Sequence, residues 1–456
     1  MRLAIIGGGI TGLAAAHRAL ELSREHNTPL ELHLFEASAR LGGSLQTVAK
    51  DGCLMEGGPD CFVTEKPGVL FLAKRLGIED QLIPTNPEHR RSFIVKGKRL
   101  LPVPEGVYLM APASFEPFLA SPLISWPGKL RMGLDYVLPR RKSNEDESLA
   151  GFVRRRLGRE ALERLAQPMI AGIYAADPNN LSLQATFPRF IEMEQKYGSV
   201  IRGLRARASA STRQASGPRY SLFMSFKNGM ETLARELEKR IPHSAIYRNT
   251  KIKDLKVEAG SWKLEAESGK SFEADAVCVA LPAPAAADLL RPLKQDLSRL
   301  LGEIPYTSAM TINLVWRRRH VPHALNGFGF VVPALEQREI IGCTFSNVKF
   351  AGRAPEDLAL LRVFLKDGDV ETVRAELKAL LGITHEPLFH FLWKQRAALP
   401  QYTVGHVNRV QQIERQISRR PGLALAGNAY HGIGIPDCVA SGEKAVDQLL
   451  ASSFKL

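Results

Sequence analysis

The chain has 456 residues, 45% of them hydrophobic and 24% charged, which exceeds one ordinary core and predicts two or three globular domains rather than a disordered or fibrous chain. Its net charge of +14 points to an anionic partner, either nucleic acid, anionic lipid or an acidic substrate. No motif resembles a nucleic-acid module, so the runs Arg154-Arg155-Arg156, Arg202 to Arg219 and Arg317-Arg318-Arg319 read mostly as solvated helix faces.

Along the chain, the apolar run Leu3 to Ile6 reads as a buried strand, followed by Gly7, Gly9 and Gly12 in G-x-G-x-x-G spacing and a helix-prone stretch from Leu13 to Leu22. This is the nucleotide-binding turn, in which Gly7 permits the tight turn, Gly9 admits a pyrophosphate and Gly12 packs helix on strand. The intervening Ile10 and Thr11 lie at the helix start, whose free N–H groups favour phosphate. A second strand, Leu30 to Phe35, ends on Glu36 and Ala37, where a carboxylate suits ribose hydroxyls and disfavours a 2′-phosphate. The alternative is an ordinary glycine turn followed by a surface acid.

Arg40-Leu41-Gly42-Gly43 then resembles the R-x-G-G run of FAD oxidases of the amine-oxidase class, in which Arg40, Gly42 and Gly43 border the flavin diphosphate. With no second G-x-G-x-x-G for a nicotinamide, FAD is the cofactor expected, and oxygen or a quinone the acceptor. Glu56-Gly57-Gly58-Pro59-Asp60 is expected beside the flavin through Gly57, Gly58, Pro59 and Asp60.

From about residue 86 to 210 the pattern turns helical and basic. Within it, Leu100 to Trp126 carries only Glu105 and Glu116 as charges but five prolines, too many for one transmembrane helix. Flanked by Lys96, Lys98, Arg99, Lys129 and Arg131, it suits either a surface resting on anionic headgroups or a plain core or dry tunnel. Tyr220 to Thr250 gives a turn and amphipathic helix, and Ile252 opens an edge strand expected near the adenine. Residues from about 290 to 400 read as mixed sheet and helix.

Near the C-terminus, the strand-like Leu423 to Ala426 leads through Gly427 and Asn428 to Gly432-Ile433-Gly434-Ile435-Pro436-Asp437, then a helix from about Val439 to Leu450. Pro436 and Asp437 suit a helix start, and a helix N-terminus there would stabilise a reduced flavin's negative edge. Gly427, Asn428, Gly434, Ile435 and Pro436 are the expected contacts, and Gly442 is expected to allow close packing of helix on cofactor. A glycine loop capping a core helix is the alternative. Five scattered cysteines without a C-x-x-C pair, and no apolar leader before the first turn, predict a reducing, cytoplasmic setting.

GGGITGLAAA, EASARLGG, EGGPD, SLAGFVRRRLG, QPMIAGIYAADPNNLS, SFKNGMETL and GIGIPDC occur in the order and spacing of the oxygen-dependent, FAD-containing protoporphyrinogen oxidases and the bacterial coproporphyrinogen oxidases, which this chain resembles over nearly its whole length. The block from Gln167 to Ser182 is the most specific part. The resemblance implies an α/β fold: a Rossmann-like FAD-binding domain of the amine-oxidase, p-hydroxybenzoate hydroxylase-like type from 1–85, 211–290 and 401–456. A helical, membrane-binding or substrate-covering insertion at 86–210 and a mixed-sheet substrate domain at 291–400 would complete it.

It further implies a six-electron oxidation of a porphyrinogen in haem synthesis, by hydride transfer to flavin N5, with molecular oxygen reduced to peroxide. No general base or metal is needed, since catalysis rests on holding the ring in a water-poor pocket. By resemblance, Arg91 anchors a substrate propionate, Phe328, Gly329 and Val331 line the ring-binding face, and Trp393 stands beside the cofactor. Arg91 favours protoporphyrinogen IX over coproporphyrinogen III, because coproporphyrinogen-specific relatives often lack it. Ser44 replaces the basic residue that many relatives carry after Gly-Gly. A homodimer, a downstream chelatase and a peripheral membrane site are the partners to consider. Amine oxidases, carotenoid desaturases and the non-enzymatic GDP-dissociation inhibitors share the frame, and the Gln167 to Ser182 block argues against the first two.

Overall fold

The computed structural model describes residues 1–213, 222–258 and 260–454; the end of the 202–219 arginine run lies outside them. Five parallel strands form the first sheet, in the spatial order Ile246–Tyr247, Glu31–Phe35, Arg2–Ile6, Ala276–Val279 and Leu423–Leu425. Parallel pairing requires crossovers that cover both faces. Helix Ile10–Glu25 and the C-terminal helix Ile435–Phe454 pack on one side. An antiparallel sheet, Ile252–Glu258, Ser261–Ala266 and Ser271–Ala274, lies with helix Ala283–Leu290 in a second apolar cluster that shares Ala4, Ile6 and Phe35 with the first strands. Ile252 is on its edge strand, as expected.

The glycines set these distances. A Cβ on Gly12 would stand 1.8 Å from the Gly7 carbonyl oxygen, so only glycine lets the first helix leave the strand this closely. Gly442 packs against another helix. Its Cβ would meet the Thr11 carbonyl at 2.2 Å, which makes it the point where the C-terminal helix crosses the first helix. That last helix also begins at Ile435, four residues before Val439, because Asp437 accepts from the Gly434 N–H and closes the first turn with Pro436 inside it.

A seven-stranded mixed sheet runs in the order Phe389–Pro400, Tyr306–Arg317, Leu358–Leu365, Ile340–Phe345, Gly329–Val331, Phe93–Lys96, Arg99–Pro102. The last two strands depart from the helical pattern expected from about 86 to 210. Residues 93–102 form a β-hairpin whose first strand pairs in parallel with Gly329–Val331, because the consecutive apolar Phe93, Ile94 and Val95 suit a strand buried on both faces.

The remaining segment folds into a helical cluster around Leu149, Phe152, Leu165, Ile170, Phe190 and Ile201. Leu101, Met110, Ala111, Phe118, Leu123 and Ile124 are buried in it, so the 100–126 stretch supplies core side chains while others in it, such as Leu119 and Trp126, stay exposed. Three of its flanking cations turn inward: Lys129 donates to the Leu119 and Ser121 carbonyls, Lys96 to Pro122, and Arg131 to those of Arg154, Arg155 and Arg156, while Lys98 and Arg99 are exposed. The arginine run is likewise not a solvated face. Arg156 is fully buried against Asp135, and Arg155 bonds Glu147 and Glu194.

Candidate functional site

Two glycine loops meet edge to edge. Gly42 N–H donates to the Gly8 carbonyl, Gly9 and Gly42 form an isolated bridge, and a Cβ on Gly43 would come within 3.1 Å of Gly9 Cα. A Cβ on Gly9 would meet nothing nearer than 4.0 Å. The first helix starts at this seam with Gly9 as N-cap, no side-chain cap and no acidic residue in its first turn. A diphosphate fits here: the seam is kept free of side chains, and the helix N–H groups supply the donors it needs.

Each predicted residue of the seam has a definite place. Ile10 packs in the core and the Thr11 side chain is buried, so both can reach a cofactor only through their backbone. Arg40 does not point outward: its guanidinium donates to the carbonyls of Leu41, Gly43 and Leu45 and folds the loop itself. The Glu36 carboxylate accepts from Gly8 N–H at 2.9 Å and Ser38 N–H at 2.8 Å, at the edge of the seam beside exposed Ala37. Thr250 N–H donates to the Glu36 carbonyl, which brings Ile252 to this side of the sheet. Ser44 contributes its carbonyl, which would lie 1.8 Å from a Cβ on Gly58.

That contact joins the seam to the Glu56 to Asp60 segment, which distant residues hold. Asn313 donates to the Glu56 carbonyl and Thr311 to that of Gly57; Arg362 donates to both Gly57 and Gly58 carbonyls. The Glu56 carboxylate accepts from Thr47 Oγ1 and Met230 N–H at 2.8 Å each. Past Pro59, the Asp60 carboxylate pairs with Lys349 at 2.8 Å, and its carbonyl accepts from Ser225 Oγ, which in turn accepts from Arg353. Against the desolvation that burial imposes, Lys349 and then Arg362 hold Asp60 below the ordinary carboxylate range, while burial pushes the Cys61 thiol up to about 12. Trp393, half-buried, lies over Gly57, with ring atoms 2.8 to 3.0 Å from where a Cβ would stand. Arg362, Lys349, Thr311 and Asn313 were not anticipated from sequence. The available signal was a lone arginine in the otherwise apolar strand LALLRVFL.

The C-terminal loop closes the other side. Gly427, at φ +134°, donates to Ser441 Oγ; Tyr402 Oη donates to the Asn428 carbonyl at 2.6 Å and accepts from Gly432 N–H at 2.8 Å. Tyr402 stacks on His406 at 3.9 Å between ring centroids, so a buried aromatic pair sets the loop from behind. Gly434, Ile435 and Pro436 form the start of the last helix, and the Pro436 carbonyl sits against Gly68.

The expected ring-binding face is brought together only in part. Half-buried Val331, Tyr174 and Ile433 each pack on the helical cluster, and Val331 faces Gly172 of helix Gln167–Tyr174. This unites the Gln167 to Ser182 block with the sheet and the C-terminal loop. That helix follows a π-helical turn, Leu162–Ala166, which accommodates Pro168. Phe328 is half-buried on the same strand region and its N–H donates to the Arg91 carbonyl. At Gly329, with φ +138°, a Cβ would stand 2.0 Å from the Cys343 carbonyl oxygen, so strand pairing by itself already demands glycine there. Arg91 is exposed, with Nε donating to the Asn326 carbonyl at 2.7 Å.

Residues 10–450 match the family model described as flavin containing amine oxidoreductase. The coproporphyrinogen III oxidase of Bacillus subtilis (strain 168) is 37% identical over 99% of this chain and 98% of its own, and the protoporphyrinogen oxidase of Bos taurus 30% identical over 98% of each. A crystal structure of a candidate protoporphyrinogen oxidase from Exiguobacterium sp. 255-15 superposes with a TM-score of 0.85 at 31% identity, over 99% of both chains. The seam fits a dinucleotide diphosphate, and FAD is the cofactor of the chain. Geometry and sequence therefore agree that this protein belongs to the flavin-containing amine oxidoreductases.

Proposed function

We propose that the chain oxidises a porphyrinogen to the porphyrin in haem synthesis, with coproporphyrinogen III as the preferred substrate and molecular oxygen as acceptor. The observation that carries this reading is the 37% identity, end to end, with the Bacillus subtilis protein of that name. The partly buried apolar side chains Val331, Tyr174 and Ile433, which all pack on one cluster, support it, since a macrocycle needs a broad, water-poor contact surface. Bound FAD supplies the two-electron acceptor. The chain's part is to orient the ring against these side chains, keep water out, and offer Arg91 at the exposed edge for a propionate. Arg91 also supports protoporphyrinogen IX as the second reading, together with the 30% identity to the Bos taurus protein.

The same proposal assigns 1–85, 211–290 and 401–456 to the cofactor domain, 86–210 to a cover, and 291–400 to the substrate domain, with the 93–102 hairpin added to the last. Trp126, Leu130, Leu134 and Val137 expose one apolar face at helical spacing, which supports peripheral contact with a membrane from the cytoplasmic side. No helix among the described residues is long and apolar enough to cross one. The same reading allows for a homodimer and for porphyrin delivery to a chelatase.

Porphyrin fluorescence tests the proposal, measured in air with each porphyrinogen separately on protein whose flavin spectrum is recorded. Turnover above autoxidation with a higher kcat/KM for coproporphyrinogen III is expected, and the reverse ratio selects the second reading. A flavin-loaded protein inactive on both would overturn the class in favour of an amine oxidase or desaturase.

A further inference from the structure

Behind the Gly57-Gly58 turn, on the side away from the glycine seam, five charged side chains are gathered. Glu56, Arg353 and Arg362 are 4%, 2% and 4% exposed, and the Asp60–Lys349 pair lies beside them. Three cations (Lys349, Arg353, Arg362) face two acids (Glu56, Asp60), so the group carries at least one net positive charge even with both acids ionised. Burial pushes the Glu56 carboxyl up, which moves the balance further in the same direction.

An excess of buried positive charge is costly unless a negative partner offsets it. Asp60 and Glu56 act on Arg362 only at a distance, and none of the described carboxylates hydrogen-bonds to it. Its Nη2 bonds two backbone carbonyls, and its Nε is buried without a hydrogen-bond partner. The turn it grips is nearly free of side chains on the opposite face, where Trp393 and the diphosphate seam lie.

We propose that Arg362, backed by Lys349 and Arg353, is a positioning residue for the flavin: it draws the Gly57 and Gly58 carbonyls into the sheet, and its charge supplies the field that favours the reduced, negatively charged ring. This rests on the reading that the isoalloxazine lies against Gly57 and Gly58 beside Trp393. Two carbonyl oxygens turned toward the ring would repel the electrons it gains; held by Arg362 and Thr311, they point away and leave the cationic group as the dominant local field.

The experiment is the midpoint potential of bound FAD on the holoenzyme, measured with a reference dye. Arg362→Met is expected to lose about tenfold in preference for the reduced form, a fall of about 30 mV for a two-electron couple. Asp60→Asn is expected to rise by a similar amount, Arg362→Lys to stay near the parent, and the charge-neutral double variant Lys349→Met with Asp60→Asn to stay there too. A purely structural role would move none of these potentials in order of charge. If Arg362→Met does not fold or does not retain FAD, Asp60→Asn decides alone: an unmoved or lowered potential overturns the proposal. Trp393→Phe separates the placement from the field. Unchanged flavin absorption and emission in that variant would overturn the placement and the proposal with it, whereas a changed spectrum with unmoved potentials in the charge variants overturns the electrostatic role alone.

Discussion

Arg156 and Arg362 are both buried guanidinium groups that grip backbone carbonyls, yet they serve opposite ends. Arg156 uses all five of its N–H donors: Nε on Asp135 Oδ1, two bonds to the Leu138 and Pro139 carbonyls, and two to those of Asp135 and Gly198. Asp135 is equally satisfied, its second oxygen accepting from Ser199 Oγ and Ile201 N–H. Charge and hydrogen bonds close, so the pair does nothing but lock the 134–136 turn to helices Leu149–Arg156 and Val200–Arg213. Arg362 has an unpartnered Nε and no hydrogen-bonded carboxylate. A closed account of charge marks architecture, and an open one marks a place where something else is meant to bind.

The largest effect that tests this contrast is at the closed pair. Arg156→Ala leaves Asp135 charged and unpaired in the core, which is expected to cost about 3–5 kcal/mol of stability. Urea unfolding gives the cost, and flavin bound per folded molecule is expected to stay at the parent value. A variant of parental stability would break the contrast, and so would one that folds without flavin.

Two buried histidines sharpen it through pH. Burial, then neighbouring arginines, pushes His17 down to about 4, and burial does the same to His406, against an unfolded value near 6.5. Between those values the unfolded chain binds protons that the native protein refuses. Stability is therefore lost as pH falls from about 6.5 to about 4, by on the order of 3 kcal/mol for each histidine. His406→Gln is expected to flatten the dependence of unfolding free energy on pH within that window; curves parallel to the parent's would show that His406 is not held neutral. Carboxylates held below their usual range, such as Asp60 and Glu194, act in a separate window below about pH 4.

At the loop that His406 supports, the effect is smaller. Tyr402→Phe removes one donor and one acceptor, leaving the Asn428 carbonyl and Gly432 N–H to find others, and is expected to cost about 1–3 kcal/mol. FAD should dissociate faster from the variant, read by flavin emission after dilution. An unchanged release rate would place the C-terminal loop outside the cofactor site.

These residues also show what a sequence can and cannot disclose. Gly7, Gly9 and Gly12 are legible because their spacing encodes backbone geometry within a dozen residues. Gly442 and Gly329 were legible as positions that exclude a side chain, but not as to what stands opposite: Thr11 in one case and Cys343 in the other. Arg155 and Arg156 looked solvated because their acids come from other elements, Asp135 lying 21 residues away and Glu194 39 residues away. The clasp on Glu56 to Asp60 is less legible still, with Thr311, Asn313 and Arg362 254 to 305 residues distant on strands of another sheet and Lys349 on a short helix. Local pattern gives loops and faces; the pairing of distant strands decides which buried charges meet.

The smallest expected effect falls on Arg91, where the contrast between open and closed charge meets the solvent. Its Nε is taken by the Asn326 carbonyl, and the side chain is exposed, so the fold should tolerate Arg91→Ala with a stability change under about 0.5 kcal/mol. A guanidinium at the edge of the Phe328 to Val331 wall would still hold a propionate, but in water such a pair contributes about 1 kcal/mol or less, equivalent to a rise in KM of a few-fold. Flavin content and kcat should not move, because the contact is made equally before and during the reaction. A larger rise in KM for protoporphyrinogen IX than for coproporphyrinogen III would make Arg91 a determinant of substrate choice. An unchanged KM for both would remove it from the site and leave the apolar side chains Val331, Tyr174 and Ile433 to select the macrocycle by shape.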